Sequence, residues 1–181
     1  MIKLSNAETA LLGLLTEQSM HPYLIEQEVK HRDMRYWTDL SMSSIYKLLR
    51  KLEKEGFITS KNQVSAENRL QKVYSISQKG RIELKKAIEE KLSIPEHIRW
   101  PIDIGLYNSN LLPREMICAA LKKYRNELQG KIKGYKELYE FLINAECPEH
   151  RFQVAIRPVF LLEAEIKWVE SYLEELFIME N

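Results

Sequence analysis

The segment SSIYKLLRKLEKEG, which starts at Ser43, holds the residues of this chain whose chemistry is easiest to specify. Wound as a helix at about 100° per residue, it gathers Ile45, Leu48, Leu49 and Leu52 on one side. Ser43, Lys47, Arg50, Lys51 and Lys54 fall on the other. An apolar stripe anchors such a helix to its domain, while the outward cations neutralise phosphates or pair with guanine edges in a DNA major groove. Surface helices also carry Lys and Arg for solubility, and Glu53 and Glu55 interrupt the basic character. Tyr46 sits about 100° from the apolar centre, where it either packs at the helix edge or donates its hydroxyl to a phosphate. Downstream, Arg69 and Lys72, with only Glu67 opposing them, lie at the tip and second strand of an expected hairpin. A wing of that kind reaches a neighbouring groove or phosphate run, and Arg is suited to a narrow minor groove.

The elements that must hold these residues follow from spacing. Ala7, Ala10, Leu11, Leu14 and Leu15 recur at helical intervals over residues 5–17, with Ser5 or Asn6 as the cap. His21-Pro22 opens a second helix that carries Tyr23, Leu24, Ile25 and Val29 to about Arg32. Ser41 or Ser43 caps the third helix, and Gly56 supplies the left-handed residue that ends it. FITSKNQ and LQKVYSIS then alternate as two strands around the polar SAEN. Ser77 caps a fourth helix to about Leu92, with Ile82, Leu84 and Ile88 among its apolar positions.

Pro95 and Pro101 punctuate the next segment, and a domain boundary is expected near Ser93, dividing residues 1–92 from 93–181. Helical spacing resumes at residues 113–146, where Gly130 and Gly134 weaken the pattern. After Cys147-Pro148 a second long helix is expected, kinked at Pro158. It carries a seam of Val159, Leu162, Ile166, Val169, Leu173 and Leu176, read here as the dimerisation surface. Phe152, Phe160, Trp168, Tyr172 and Phe177 lie off or beside that seam and call for a covering surface, either a second copy or the N-terminal domain. The expected fold is therefore mainly α with a small β hairpin: a winged helix-turn-helix followed by a long-helix hairpin.

Composition agrees with that division. The chain has 181 residues, 45% hydrophobic and 29% charged, as in an ordinary globular protein. Its net charge of +1 hides an asymmetry: residues 1–92 carry 16 Lys/Arg against 12 Asp/Glu, and the remainder 11 against 14. The basic surplus belongs to the half with the wing. Two distant cysteines, Cys118 and Cys147, offer no disulfide framework or zinc site. The apolar stretch at the N-terminus is too short for a membrane span and is not followed by a cleavage site, so the protein is expected to be cytoplasmic.

LSNAETALLGLL with HPYLIEQEV, then LSMSSIYKLLRKLEKEGFI, then NRLQKVYSISQKGRIEL, in this order and spacing, resemble the PadR family of transcriptional regulators. The likeness is sharpest over residues 4–92. It implies a homodimeric repressor whose winged helices bind an inverted repeat in double-stranded DNA and which responds to small aromatic compounds. Carried over by position, it marks Ser44, Ile45 and Tyr46 of the recognition helix and Arg69, Gln71 and Lys72 of the wing. Three features depart from the family pattern: Lys47 replaces a common Pro, His21-Pro22 stands where a Gly is usual, and the wing lacks its usual Gly and Pro.

An aromatic effector would stack in an apolar cavity with a few polar groups. Trp37, Trp100, Trp168, Tyr107 and Arg99 are the candidate lining residues, with His97 near in sequence, although each tryptophan also suits core packing. His21, His31, His97 and His150 share no ligand-like spacing and are read as surface or capping residues, so no metal or other cofactor is expected. The nucleophile elbow, phosphate loop, zinc-protease and dinucleotide motifs are all missing, which argues against an enzyme. The alternative from another class is a winged-helix adaptor that binds protein without DNA specificity.

Overall fold

The computed structural model describes residues 3–64, 68 and 70–178. The chain divides into two compact units, Met1–His97 and Ile98–Asn181.

In the first unit, α1 (Asn6–Glu17), α2 (Pro22–His31) and α3 (Met42–Lys54) precede an antiparallel hairpin of β1 (Ile58–Val64) and β2 (Leu70–Ile76), and α4 (Gln78–Ser93) follows. Each of these four helices starts on a side-chain cap. Ser5 and Glu8 form a reciprocal capping box on α1, and His21 Nδ1 accepts from Leu24 N at the head of α2. Ser41, rather than Ser43, caps α3, again through a box closed by Ser44. Ser77 caps α4. Gly56 adopts φ 75°, the left-handed geometry expected after α3.

The core of this unit draws Leu11, Leu14 and Leu15 from α1, Ile25 and Val29 from α2, and Ile45, Leu49 and Leu52 from α3, together with Phe57 and Ile58. Leu12 and Glu8 are buried as well, so α1 is enclosed on more than the single expected face. On α4 only Leu84 and Ala87 reach the core as apolar side chains. Ile82 and Ile88, read as apolar positions of α4, are nearly half exposed: Ile88 flanks the buried stripe, and Ile82, two residues before Leu84, lies about 160° around the helix from it. The hairpin is held on the β2 edge and at its base. Met20 exchanges two backbone hydrogen bonds with Tyr74 of β2, and Ser77 N and Oγ both donate to Phe57 O. Gly80 lies so close to that carbonyl that an added Cβ would stand 2.0 Å from it.

The second unit begins with α5 (Pro101–Tyr107), a short helix that the proline punctuation concealed. Two long helices follow, α6 (Arg114–Asn144) and α7 (Gln153–Ile178), joined through a single-turn 3-10 segment. Gly130 and Gly134 lie within an unbroken α6, and α7 continues through Pro158 in its second turn, where the ring removes one backbone donor without ending the helix. Leu121 and Leu128 of α6 meet Val169 and Leu173 of α7 in a narrow core, flanked by Ile117, Tyr124, Leu162, Ile166 and Leu176. The seam expected to dimerise is therefore largely occupied by the chain's own α6: Leu162, Ile166, Val169, Leu173 and Leu176 all pack there. A 3-4 spacing suits any antiparallel helix partner, and the helix nearest in sequence takes it.

Candidate nucleic-acid interface

Helix α3 carries the candidate contacts, and its two flanks differ from its centre. Ile45, Leu49 and Leu52 are fully buried, which fixes the rotation of the helix about its own axis. On the flank facing α1, Lys51 Nζ lies 2.6 Å from Glu8 Oε1. Glu8 is only 2% exposed, and its other oxygen accepts from Ser5 N at 2.8 Å. Burial raises the Glu8 pKa, but the Lys51 ammonium and the Ser5 hydrogen bonds outweigh it and hold the carboxyl below its usual range. On the flank facing the hairpin, Glu53 accepts from Lys72 Nζ at 2.7 Å and from the Ser60 hydroxyl. Lys72 also stands 5.0 Å over the Tyr74 ring.

Between these neutralised flanks run Ser43, Lys47, Arg50 and Lys54, all exposed. None of the three cations forms an ion pair with another described residue. They lie within about 60° of one another around the helix, one turn apart, as a strip that can face a single groove. Tyr46 is nearly half exposed at the edge of that strip, which leaves its hydroxyl free to reach a phosphate. Ser44, by contrast, is committed to the cap: its hydroxyl donates to Ser41 O and accepts from Ser41 N. Five expected contacts thus keep their exposure without an internal ion pair, namely Ser43, Tyr46, Lys47, Arg50 and Lys54. Lys51, Lys72 and Ser44 instead hold α3 and the wing in place. Arg69 lies outside the described residues. The partner of Lys51 was missed because Glu8 reads in sequence as an ordinary first-turn acid.

The five residues expected to line an effector site are distributed over both units. Trp37 belongs to the first unit and is half exposed. Trp100 caps α5 at 46% exposure, Tyr107 is 88% exposed, and Arg99 is exposed, so these three do not enclose a cavity within one chain. Trp168 stacks on Tyr172, with ring centroids 5.9 Å apart. Among the described residues there is no cluster of metal-ligating side chains and no helix long and apolar enough to cross a membrane.

Residues 11–86 match the model of the transcriptional regulator PadR-like family. The negative transcriptional regulator PadR of Bacillus subtilis is 27% identical over 171 residues, which span 91% of this chain and 93% of that protein. Its crystal structure with operator DNA is similar to this fold, with a TM-score of 0.75 and 24% identity over 93% of this chain and 98% of that one. The same protein with p-coumaric acid gives a TM-score of 0.76 at 23% identity, over 93% and 94% of the two chains.

Proposed function

The chain belongs to the PadR-like family of transcriptional regulators, and from that premise we propose that it is a ligand-responsive repressor that binds an inverted-repeat operator as a homodimer. Residues 1–92 act as the DNA-binding domain and the helical remainder as the dimerisation and effector domain. The observation that carries this reading is the strip of Lys47, Arg50 and Lys54, exposed and unpaired among the described residues between two internally neutralised flanks. Ordinary surface lysines do not need their neighbours sorted in this way. A recognition helix does, because its rotation must be fixed while its outer face stays available.

Dimerisation is assigned to the surface of α7 that α6 leaves uncovered: Phe160, opposite the seam, remains 69% exposed, and Phe177, about 60° from the seam with Lys122 of α6 over its ring, remains 51% exposed. A second copy that buries this face would place two recognition helices about 34 Å apart, one turn of DNA. The proposed effector is a small aromatic acid, in keeping with the p-coumaric acid bound by the Bacillus subtilis relative. Arg99 would meet its carboxylate, and the exposed rings of Trp100 and Tyr107 would complete a wall that one chain leaves open. Release of DNA requires the effector to prefer one dimer spacing over the other. A protein of this kind works in the cytoplasm.

The test is retardation of a duplex taken from the region upstream of the protein's own coding sequence. Binding that weakens steeply with salt and is reversed by a phenolic acid is the expected result. Retardation that is insensitive to every aromatic acid tried would remove the effector assignment and leave the DNA assignment standing.

A further inference from the structure

A helix lying in a major groove about 12 Å wide has a phosphate strand on each side. On one side of α3 stands the hairpin, tied to Glu53 through Ser60 and Lys72. Lys51 lies two residues before Glu53 and therefore about 200° around the helix from it, on the opposite flank. That flank opens into a groove of about 820 Å³, lined by Lys3, Ser5, Asn6, Lys47, Lys51 and Lys91 among others. The groove brings the start of α1, the end of α4 and the recognition helix together, and Lys47 belongs both to it and to the exposed strip.

The charges in and beside the groove differ in how they are held. Lys51 is bound to the Glu8 carboxylate, which is almost fully buried and would lose its charge partner if Lys51 turned away. Lys3 pairs with Glu90 at 2.5 Å, but Lys3 is 76% exposed and Glu90 39% exposed, so this is a surface pair of small net worth. Lys91 donates to the Asn6 side chain at 2.6 Å, a neutral acceptor. Counting Glu8 and Glu90 against the four lysines leaves the groove positive. Lys3 and Lys91 can therefore exchange their present partners for a phosphate at little cost, whereas Lys51 cannot.

We propose that this lysine groove is a second phosphate-binding edge of the DNA interface, in which Lys3 and Lys91 hold the strand on the side of α3 away from the wing. The proposal rests on the DNA-binding reading given above. It makes Lys3 and Lys91 contacts that contribute affinity without reading sequence.

The experiment is a salt series of fluorescence anisotropy titrations on two duplexes, one from the upstream region and one of scrambled sequence. It compares the full chain with the double variant Lys3→Gln/Lys91→Gln. Each lost phosphate contact lowers the slope of log K against log salt by about 0.9, so two per chain, four per bound dimer, lower it by about 3.6. Across a fourfold rise in salt the unmodified protein should then lose about 150-fold more affinity than the variant. The preference for one duplex over the other should not change, and nor should the thermal melt. An unchanged slope in the variant would overturn the proposal, as would a change in sequence preference at unchanged slope. If the unmodified protein binds neither duplex in a salt-dependent way, the DNA-binding reading fails and the groove proposal fails with it, an outcome distinct from the first two.

Discussion

The two units spend their apolar residues differently. In the first, helices from four parts of the sequence and the base of the hairpin close around one core, and its charged neighbours are sorted into anchors and a free strip. In the second, the two long helices bury five apolar side chains deeply among the described residues, Leu121, Leu128, Ala155, Val169 and Leu173, while large side chains such as Tyr107, Phe160 and Ile178 stay exposed. A two-helix hairpin has too little interior to hide every apolar face. The first unit has the makings of a complete domain, and the second those of half an interface.

That contrast fails or holds first on α7. Replacing Phe160 and Phe177 together by Glu should convert the protein from a dimer to a species of about 21.4 kDa by light scattering. Operator affinity should fall roughly 100-fold, because two linked sites become one. A dimer that survives both charges would move the interface elsewhere. In the first unit, Leu49→Ala should cost about 2–5 kcal/mol in urea unfolding, since its side chain is enclosed on all sides.

These expectations also show what the sequence makes legible. The winged unit is readable because its signals are local: a cap such as Ser41, a left-handed Gly56 and a leucine stripe state their roles within a few residues. Contacts between distant segments are not local. Glu8 and Lys51 look like surface charges until α1 is laid against α3, and Ile82 and Ile88 look like core until the position of the buried α4 stripe is known. The spacing of α7 marks the stripe from Leu162 to Leu176 as a seam, but spacing alone does not say whether α6 or a second copy covers it.

Smaller effects sharpen the account of how α3 is held. Gly80→Ala forces a methyl group against the Phe57 carbonyl and should cost about 1–3 kcal/mol, read as a lowered melting temperature. Glu8→Gln should cost about 1.5–3 kcal/mol at pH 7, the worth of a charge-assisted contact. The folded-state pKa of Glu8 is lowered from 4.5, so its contribution is present above that value and lost as pH falls through the lower folded value. Parallel melts should therefore show the gap between Glu8→Gln and the unmodified protein closing in acid, and a gap constant with pH would reject the Lys51 pairing.

The most direct measurement is the affinity of Lys47→Ala/Arg50→Ala for the upstream duplex, followed by anisotropy at fixed salt with circular dichroism to confirm the fold. Both side chains are exposed, so the fold should be unaffected while binding falls about 100-fold or more, at roughly 1–3 kcal/mol for each contact. Unchanged binding by a folded double variant would contradict the recognition role of α3 and leave a winged helix whose partner is a protein.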